Sequence, residues 1–216
     1  MQVKINNSNG FTLLEILIAL AISLTVIGAA YSTFLSQQKS YIVQEEIVGM
    51  QQNLRAAMFI MQKELRMAKY DPSPNTGNSP VGIISLSLNQ DGDNQISFDY
   101  ISDTTGSLET ITYSFDAAGH EIERQTTGSP NPIADNIDAL NFVGLNSNGV
   151  PATALSEVVS IQITIVAKAD RDDINHTDAT SYTNPFSTTA ILAPQNDHRR
   201  RRMLTTKVKC RNISLP

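Results

Sequence analysis

Glu15 is the only charged side chain between Lys4 and Lys39, and it heads an apolar run. A lone carboxylate carried into hydrocarbon costs on the order of 3 kcal/mol on insertion scales, so an acid in that place calls for a cationic partner or a function. Elsewhere the residues able to do chemistry are scattered. His120, His176 and His198 stand isolated in polar stretches, and no Ser, His and acid set, HExxH or glycine-rich phosphate loop is present. No residue is assigned a catalytic role, and an enzyme is not expected. Asp91-x-Asp93-x-Gln95 has the odd-position spacing of a calcium loop, but Ile96 and Ser102 stand where such a loop needs its glycine and its closing acid. A hairpin turn is the better reading, and neither a metal nor a cofactor is expected. Asn175-His176-Thr177 and Asn212-Ile213-Ser214 fit the glycosylation triplet; such triplets arise often by chance, and neither is given a function.

Charge is unevenly placed. Arg199, Arg200, Arg201, Arg202, Lys207, Lys209 and Arg211 follow one another with no acid among them, while the other nine basic residues face all 21 acids, a balance of −12 within a net charge of −5. Clustered arginine neutralises phosphates, yet the aromatic side chains of a single-strand platform are missing here, so nucleic acid is not expected as a partner. Strand alternation puts Lys207, Lys209 and Arg211 on one face and Leu204, Thr206, Val208 and Cys210 on the other. The first face reads as a charged outer surface or a contact with acidic neighbours; Cys210 reads as a small core residue. As the single cysteine it closes no intrachain disulfide and builds no thiolate zinc cluster.

With 41% hydrophobic and 17% charged residues among 216, the chain can bury one sizeable core, which excludes disordered and collagen-like classes. From Ile16 to Leu35 run 20 residues of mainly Ile, Leu, Ala and Val. At about 1.5 Å per residue that suffices for a hydrocarbon core of about 30 Å, and Ser23, Thr25, Ser32 and Thr33 can bond back to the preceding turn. Further on, Val43, Ile47, Met50, Leu54, Met58, Met61, Leu65 and Ala68 recur every three or four residues, one face of an amphipathic helix made to cover a sheet. Without a proline between Phe11 and Tyr70 the two helical stretches can join, with Gly28 and Gly49 as weak points. Asp71-Pro72-Ser73-Pro74 ends them.

After a polar loop, Asn75 to Pro80, come short β-type runs: Val81 to Leu88, Gln95 to Ile101, Leu108 to Phe115, Ile137 to Val143, Glu157 to Lys168 and Met203 to Asn212. Turn chemistry separates them at Asp91-Gly92-Asp93-Asn94, Ala117-Ala118-Gly119 and Asn146-Ser147-Asn148-Gly149. The expectation is an antiparallel meander packed on one helix. In the fifth run the alternation of Val159, Ile161, Ile163 and Ile165 predicts one buried and one partly polar face. The stretch 170–196 reads as a long surface loop.

Gly10-Phe11-Thr12-Leu13-Leu14-Glu15, after a short polar leader and before an apolar helix, resembles the type III signal of type IV prepilins and pseudopilins. Met50-Gln51-Gln52-Asn53-Leu54-Arg55, Glu64-Leu65-Arg66-Met67-Ala68, Tyr70-Asp71-Pro72, and Arg201-Arg202 with Thr205-Thr206, Val208 and Arg211-Asn212 are similar to the PilW-type minor pilin family. The resemblance implies an α+β, pilin-like fold: a long N-terminal helix, half membrane-embedded and half amphipathic, packed on an antiparallel sheet head. It implies cleavage by a prepilin peptidase between Gly10 and Phe11, where glycine leaves the scissile carbonyl unobstructed, and N-methylation of the new Phe11 amine. It also implies that Glu15 pairs with the N-terminal ammonium of a neighbouring subunit during assembly.

On that reading residues 1–10 are the leader, 11–35 the transmembrane and assembly helix, 36–70 the amphipathic helix and 71–216 the head. The implied role is a non-enzymatic minor pilin priming assembly within a tip complex. Its partners are other minor and major pilins through the N-terminal helix, the prepilin peptidase, the inner-membrane assembly platform and the membrane. It would sit in the inner membrane by a single span with its head in the periplasm, then at the filament tip. The J-type minor pseudopilin of type II secretion shares this plan. A conventionally secreted binding protein, cut after Gly28-Ala29-Ala30 to begin at Tyr31, is the third reading.

Overall fold

The computed structural model describes residues 10–73 and 79–213. The leader before Gly10, most of the loop after Pro74, and Ser214 of the second glycosylation triplet lie outside them. One helix, α1 (Leu13–Leu65), opens the described chain. A five-stranded antiparallel sheet follows, ordered β1 (Ile83–Ser85), β2 (Gln95–Ile101), β3 (Leu108–Asp116), β4 (Glu121–Gln125) and β5 (Asn131–Ala134). A second antiparallel sheet is made of β6 (Ile137–Leu145), β7 (Ser160–Asp172) and β10 (Arg199–Lys209), with β7 in the middle. Between β7 and β10 the chain forms a small hairpin, β8 (Tyr182–Thr183) and β9 (Ala190–Leu192). The chain divides into two compact units, residues 1–45 and 46–216.

Neither Gly28 in the first unit nor Gly49 in the second breaks α1, and a Cβ at either would meet no atom within 4 Å. Three hydroxyls return to backbone carbonyls as expected: Ser23 to Ala19 at 2.7 Å, Thr25 to Ile22 at 2.7 Å and Thr33 to Ala29 at 3.0 Å. Each removes a polar group from the helix surface.

In the second unit the helix stripe closes on the sheets. Met50, Leu54, Ala57, Met58, Met61 and Leu65 are buried, and so is Ala68 beyond the helix end. Val43 and Ile47, the first two members expected of the stripe, are only half-buried. The helix stops at Leu65, and a tighter turn follows, in which Met67 N–H donates to the Glu64 carbonyl and Ala68 N–H to that of Leu65. Lys69, at φ 62°, then turns the chain onto β2 through its N–H bond to Asp99 O. Glu64 fastens this end of the helix to the five-stranded sheet, taking Arg124 Nε at 2.9 Å and the Tyr113 hydroxyl.

Several strand expectations are corrected. The meander is two sheets, joined by a bridge between Asp93 and Phe142. β4 and β5 were unassigned in the sequence because only Ile122 of β4 is buried and β5 carries Pro132, a residue confined to sheet edges. The second face of β7 is buried as well: Gln162, Thr164, Val166 and Lys168 are all less than a tenth exposed. The 173–198 excursion is no loose loop and is tied to the strands that flank β7. Asn184 Nδ2 reaches across to Asp91 O at 2.9 Å and Asn141 Oδ1 at 3.3 Å, and Asp178 reaches Arg201 at 3.2 Å.

Candidate functional site

The segment that heads α1 is built from a local sequence logic. Thr12 precedes the first helical residue and Glu15 is the third residue within the helix, the spacing of a capping box. The geometry is complete: Glu15 N–H donates to Thr12 Oγ1 at 3.3 Å, and Thr12 N–H and its hydroxyl donate to Glu15 Oε2 at 2.8 and 2.9 Å. The carboxylate is therefore held at the helix start, where backbone N–H groups point outward and favour negative charge. Resting there, it satisfies two donors of its own chain through Oε2. The capping role was legible in the spacing from Thr12 to Glu15, and sequence reasoning missed it by looking only for a partner in another subunit.

Gly10 and Phe11 lie just outside the helix and are exposed, Phe11 by 85%. A Cβ on Gly10 would meet nothing within 4 Å, and its backbone is not left-handed. Among the described residues nothing requires glycine there. From Leu13 onward the side chains are apolar all round and uncovered: Leu14, Ile18, Leu24 and Ile27 are each more than half exposed. The helix is long and apolar enough to cross a membrane. An apolar surface of that extent is not left to water in a native protein; it marks contact with lipid or with other protein.

The other candidate groups are absorbed by the fold. Asp91 accepts the Ser187 hydroxyl, while Asp93 accepts the Ser87 N–H at 3.0 Å and bridges to Phe142 through its backbone. Both serve the turn. The histidines are less isolated than their sequence neighbours suggest, since His120 Nδ1 lies 3.2 Å from Asp138 and His198 Nδ1 lies 2.7 Å from the His176 carbonyl.

The basic run takes a different form from the solvated stretch the sequence suggests. Arg199 meets Asp172 at 3.2 Å and Arg200 meets Asp173 at 2.7 Å. Arg201, whose side chain is only 2% exposed, binds Asp138 at 2.6 Å, Asp178 at 3.2 Å and Asp197 at 2.6 Å, and Lys168 joins Asp138 at 2.8 Å. The hydrogen bonds from Arg201 hold the Asp197 carboxyl down at about 2. Burial alone would push Asp178 up, but the bonds from Thr180, Arg201 and Tyr182 outweigh it and its carboxyl lies below the usual range. β10 thus starts at Arg199, four residues before the expected Met203, because the run's first arginines have acids to meet. Lys207 and Lys209 do face outward, and Val208 and Cys210 inward, as alternation requires. Burial raises the Cys210 thiol to about 12.

Comparison with known proteins now adds to the geometry. Residues 100–212 match the family described as Type IV Pilus-assembly protein W, a stretch of more than half the chain. The chain belongs to the Type IV Pilus-assembly protein W family. Residues 5–31 match the Prokaryotic N-terminal methylation motif, which covers the junction, the capping box and the first turns of the apolar helix. A search of curated proteins found no match. Among solved structures the chain is similar to the Type IV-like pilin TTHA1219 from Thermus thermophilus, at 14% identity and a TM-score of 0.56 over 76% of this chain and 97% of that one. At that identity the likeness bears on fold alone. The PilW-family chain has the pilin-like α+β fold, a long N-terminal helix packed on antiparallel sheets.

Proposed function

We propose that this PilW-family chain is a non-enzymatic minor pilin that waits in the inner membrane, head in the periplasm, and primes a type IV filament within a tip complex of minor pilins. The observation that carries the reading is the exposed junction Gly10-Phe11 set directly before a capped, wholly uncovered apolar helix. A prepilin peptidase that grips an extended backbone needs such a junction, and its cut leaves Phe11 as an amine to be methylated. Residues 1–10 then act as leader, 11–35 as membrane and assembly helix, 36–70 as the amphipathic helix with its closing turn after Leu65, and 71–216 as head.

Glu15 carries the assembly step. When the helix moves from lipid into a filament, its carboxylate meets the terminal ammonium of a neighbouring subunit, and two charges costly in an apolar setting compensate each other. Major and minor pilins, the peptidase and the assembly platform are the partners this implies.

Mass spectrometry of the mature protein tests the first step: the expected N-terminus is N-methylated Phe11, and Gly10→Val should leave the precursor uncut. A mature chain beginning at Tyr31 would refute it. For the second step, Glu15→Ala should still insert and be cut but lose partners, since a buried pair stripped of one member costs about 3 to 5 kcal/mol. Crosslinking to other pilins and piliation should fall at normal subunit level. Normal piliation together with a secretion defect would instead assign the chain to a secretion apparatus.

A further inference from the structure

The basic residues of β10 fall into two sets with different partners. Its first three arginines are all matched by carboxylates of this subunit, at 3.2 Å or closer. Lys207 and Lys209, near the other end, have no ion pair among the described residues, and both are exposed. They stand on the same face of the sheet, Lys207 opposite Gln162 and Lys209 opposite Ser160. Together with Asn146, Ser147, Val159 and Ser160 they line an open pocket of about 490 Å³. Its rim is shaped by the turn after β6, where Gly149 takes φ 77° and a Cβ in its place would come within 3.0 Å of Lys207 Nζ. Opposite Lys207 but behind the pocket lining, Gln162 is 93% buried and its Nε2 has no hydrogen-bond partner among the described residues.

We propose that this pocket is a docking site for an Asp or Glu side chain on the head of a neighbouring pilin subunit, and this rests on the pilin reading above. Lys207, Lys209, Ser160 and Asn146 line a space roomy enough to admit an acidic side chain between the two ammonium groups, while Val159 and the lysine stems offer it apolar walls. Lysine is matched to such a contact because it presents a point charge with three rotatable donors, without demanding a planar bidentate ligand. A nucleic acid fits less well. It needs a long row of cations along a phosphate track, and Arg199, Arg200 and Arg201 are already neutralised by Asp172, Asp173 and Asp197, which leaves only Arg202 and Arg211 as exposed arginines of the run. The pairing sets orientation and encounter rate between heads, as charge complementarity at an interface rim does.

The test uses the full chain in detergent micelles, with amide NMR as the readout and a blocked pentapeptide, Gly-Asp-Gly-Glu-Gly, as probe. Ser160, Lys207 and Lys209 should shift saturably, the Asn and Gln version of the peptide should bind at least about 10-fold more weakly, and the double change Lys207→Gln, Lys209→Gln should abolish the shifts while leaving the spectrum folded. Equal binding of the amide peptide, or tighter binding of a single-stranded oligonucleotide, overturns the carboxylate site. In cells, Lys207→Glu with Lys209→Glu should lower piliation at normal subunit level and leave Phe11 processing unchanged. Peptide binding in vitro with unaffected piliation overturns the neighbouring pilin as occupant. An unprocessed Phe11 in the wild-type chain instead overturns the pilin reading itself, so the two failures are distinguishable.

Discussion

The two stretches of α1 carry comparable apolar content and use it in opposite ways. Before residue 45 the large side chains are uncovered; after it, Met50, Leu54, Met58, Met61 and Leu65 lie at 6% exposure or less. The difference is one of arrangement. Where apolar residues surround the helix no single sheet can cover them, so the covering surface has to be lipid or other subunits; where they keep to a stripe, the chain's own sheets suffice. One helix thereby holds an interface with the outside and an interface with itself.

The sharpest way to break that contrast is a charge placed in each stretch in turn. Leu54→Asp buries an unpaired carboxylate and removes a core side chain, at a cost of several kcal/mol. The head of the full chain in micelles should melt at least ~10 °C lower by near-UV circular dichroism. The matched change Leu24→Asp should leave that melting temperature untouched and impair membrane insertion instead. If both variants melt alike, the stripe is not the interface described.

Next in size is Arg201→Met. It leaves Asp138, Asp178 and Asp197 without their shared cation, and breaking such a buried set costs about 3 to 5 kcal/mol. A pH signature separates this from simple packing loss. Because Asp197 is depressed to about 2 in the folded chain, its pairing adds stability that is present above the unfolded carboxyl value of about 4 and lost as pH falls through 2. Wild type should therefore lose stability over that window more steeply than Arg201→Met. Parallel curves would show that the pairing contributes nothing.

Asn184→Ala is the smallest. It removes the bonds that tie the excursion to the turn at Asp91 and to Asn141, at about 1 to 3 kcal/mol. Hydrogen exchange should rise in residues 178–197 and stay unchanged along α1. Uniform exchange across the head would place Asn184 in the global core instead.

These same features show what could be read from sequence. The stripe from Met50 to Leu65 was legible because helical periodicity repeats over about four turns. The N-terminal signal was legible because Gly10-Phe11 and Glu15 keep a fixed spacing ahead of an unbroken apolar run, and residues 5–31 do match the methylation motif. The second buried face of β7 was not, since its Gln, Thr and Lys residues look solvated in sequence, and the ties of Asn184 to Asn141 and of Asp178 to Arg201, on the strands either side, come from a polar stretch outside β7. The basic run was misjudged for the same cause: its acids come from β6, the end of β7 and the excursion, and only the fold assembles them. Local pattern reports on local partners.

The lone thiol has a practical consequence. Cys210 is fully covered, and its N–H bonds to Val159 O at 3.1 Å, pinning the end of β10 to the start of β7. A maleimide or aromatic disulfide reagent reaches that sulfur only when the two strand ends part. The rate of labelling in native buffer is thus a clock for the opening of this corner, and because no second cysteine exists to share the signal, the reading is unambiguous at a single position. The same corner adjoins Lys207 and Lys209, so a subunit that seats a neighbour's acid there should be labelled more slowly than one standing alone.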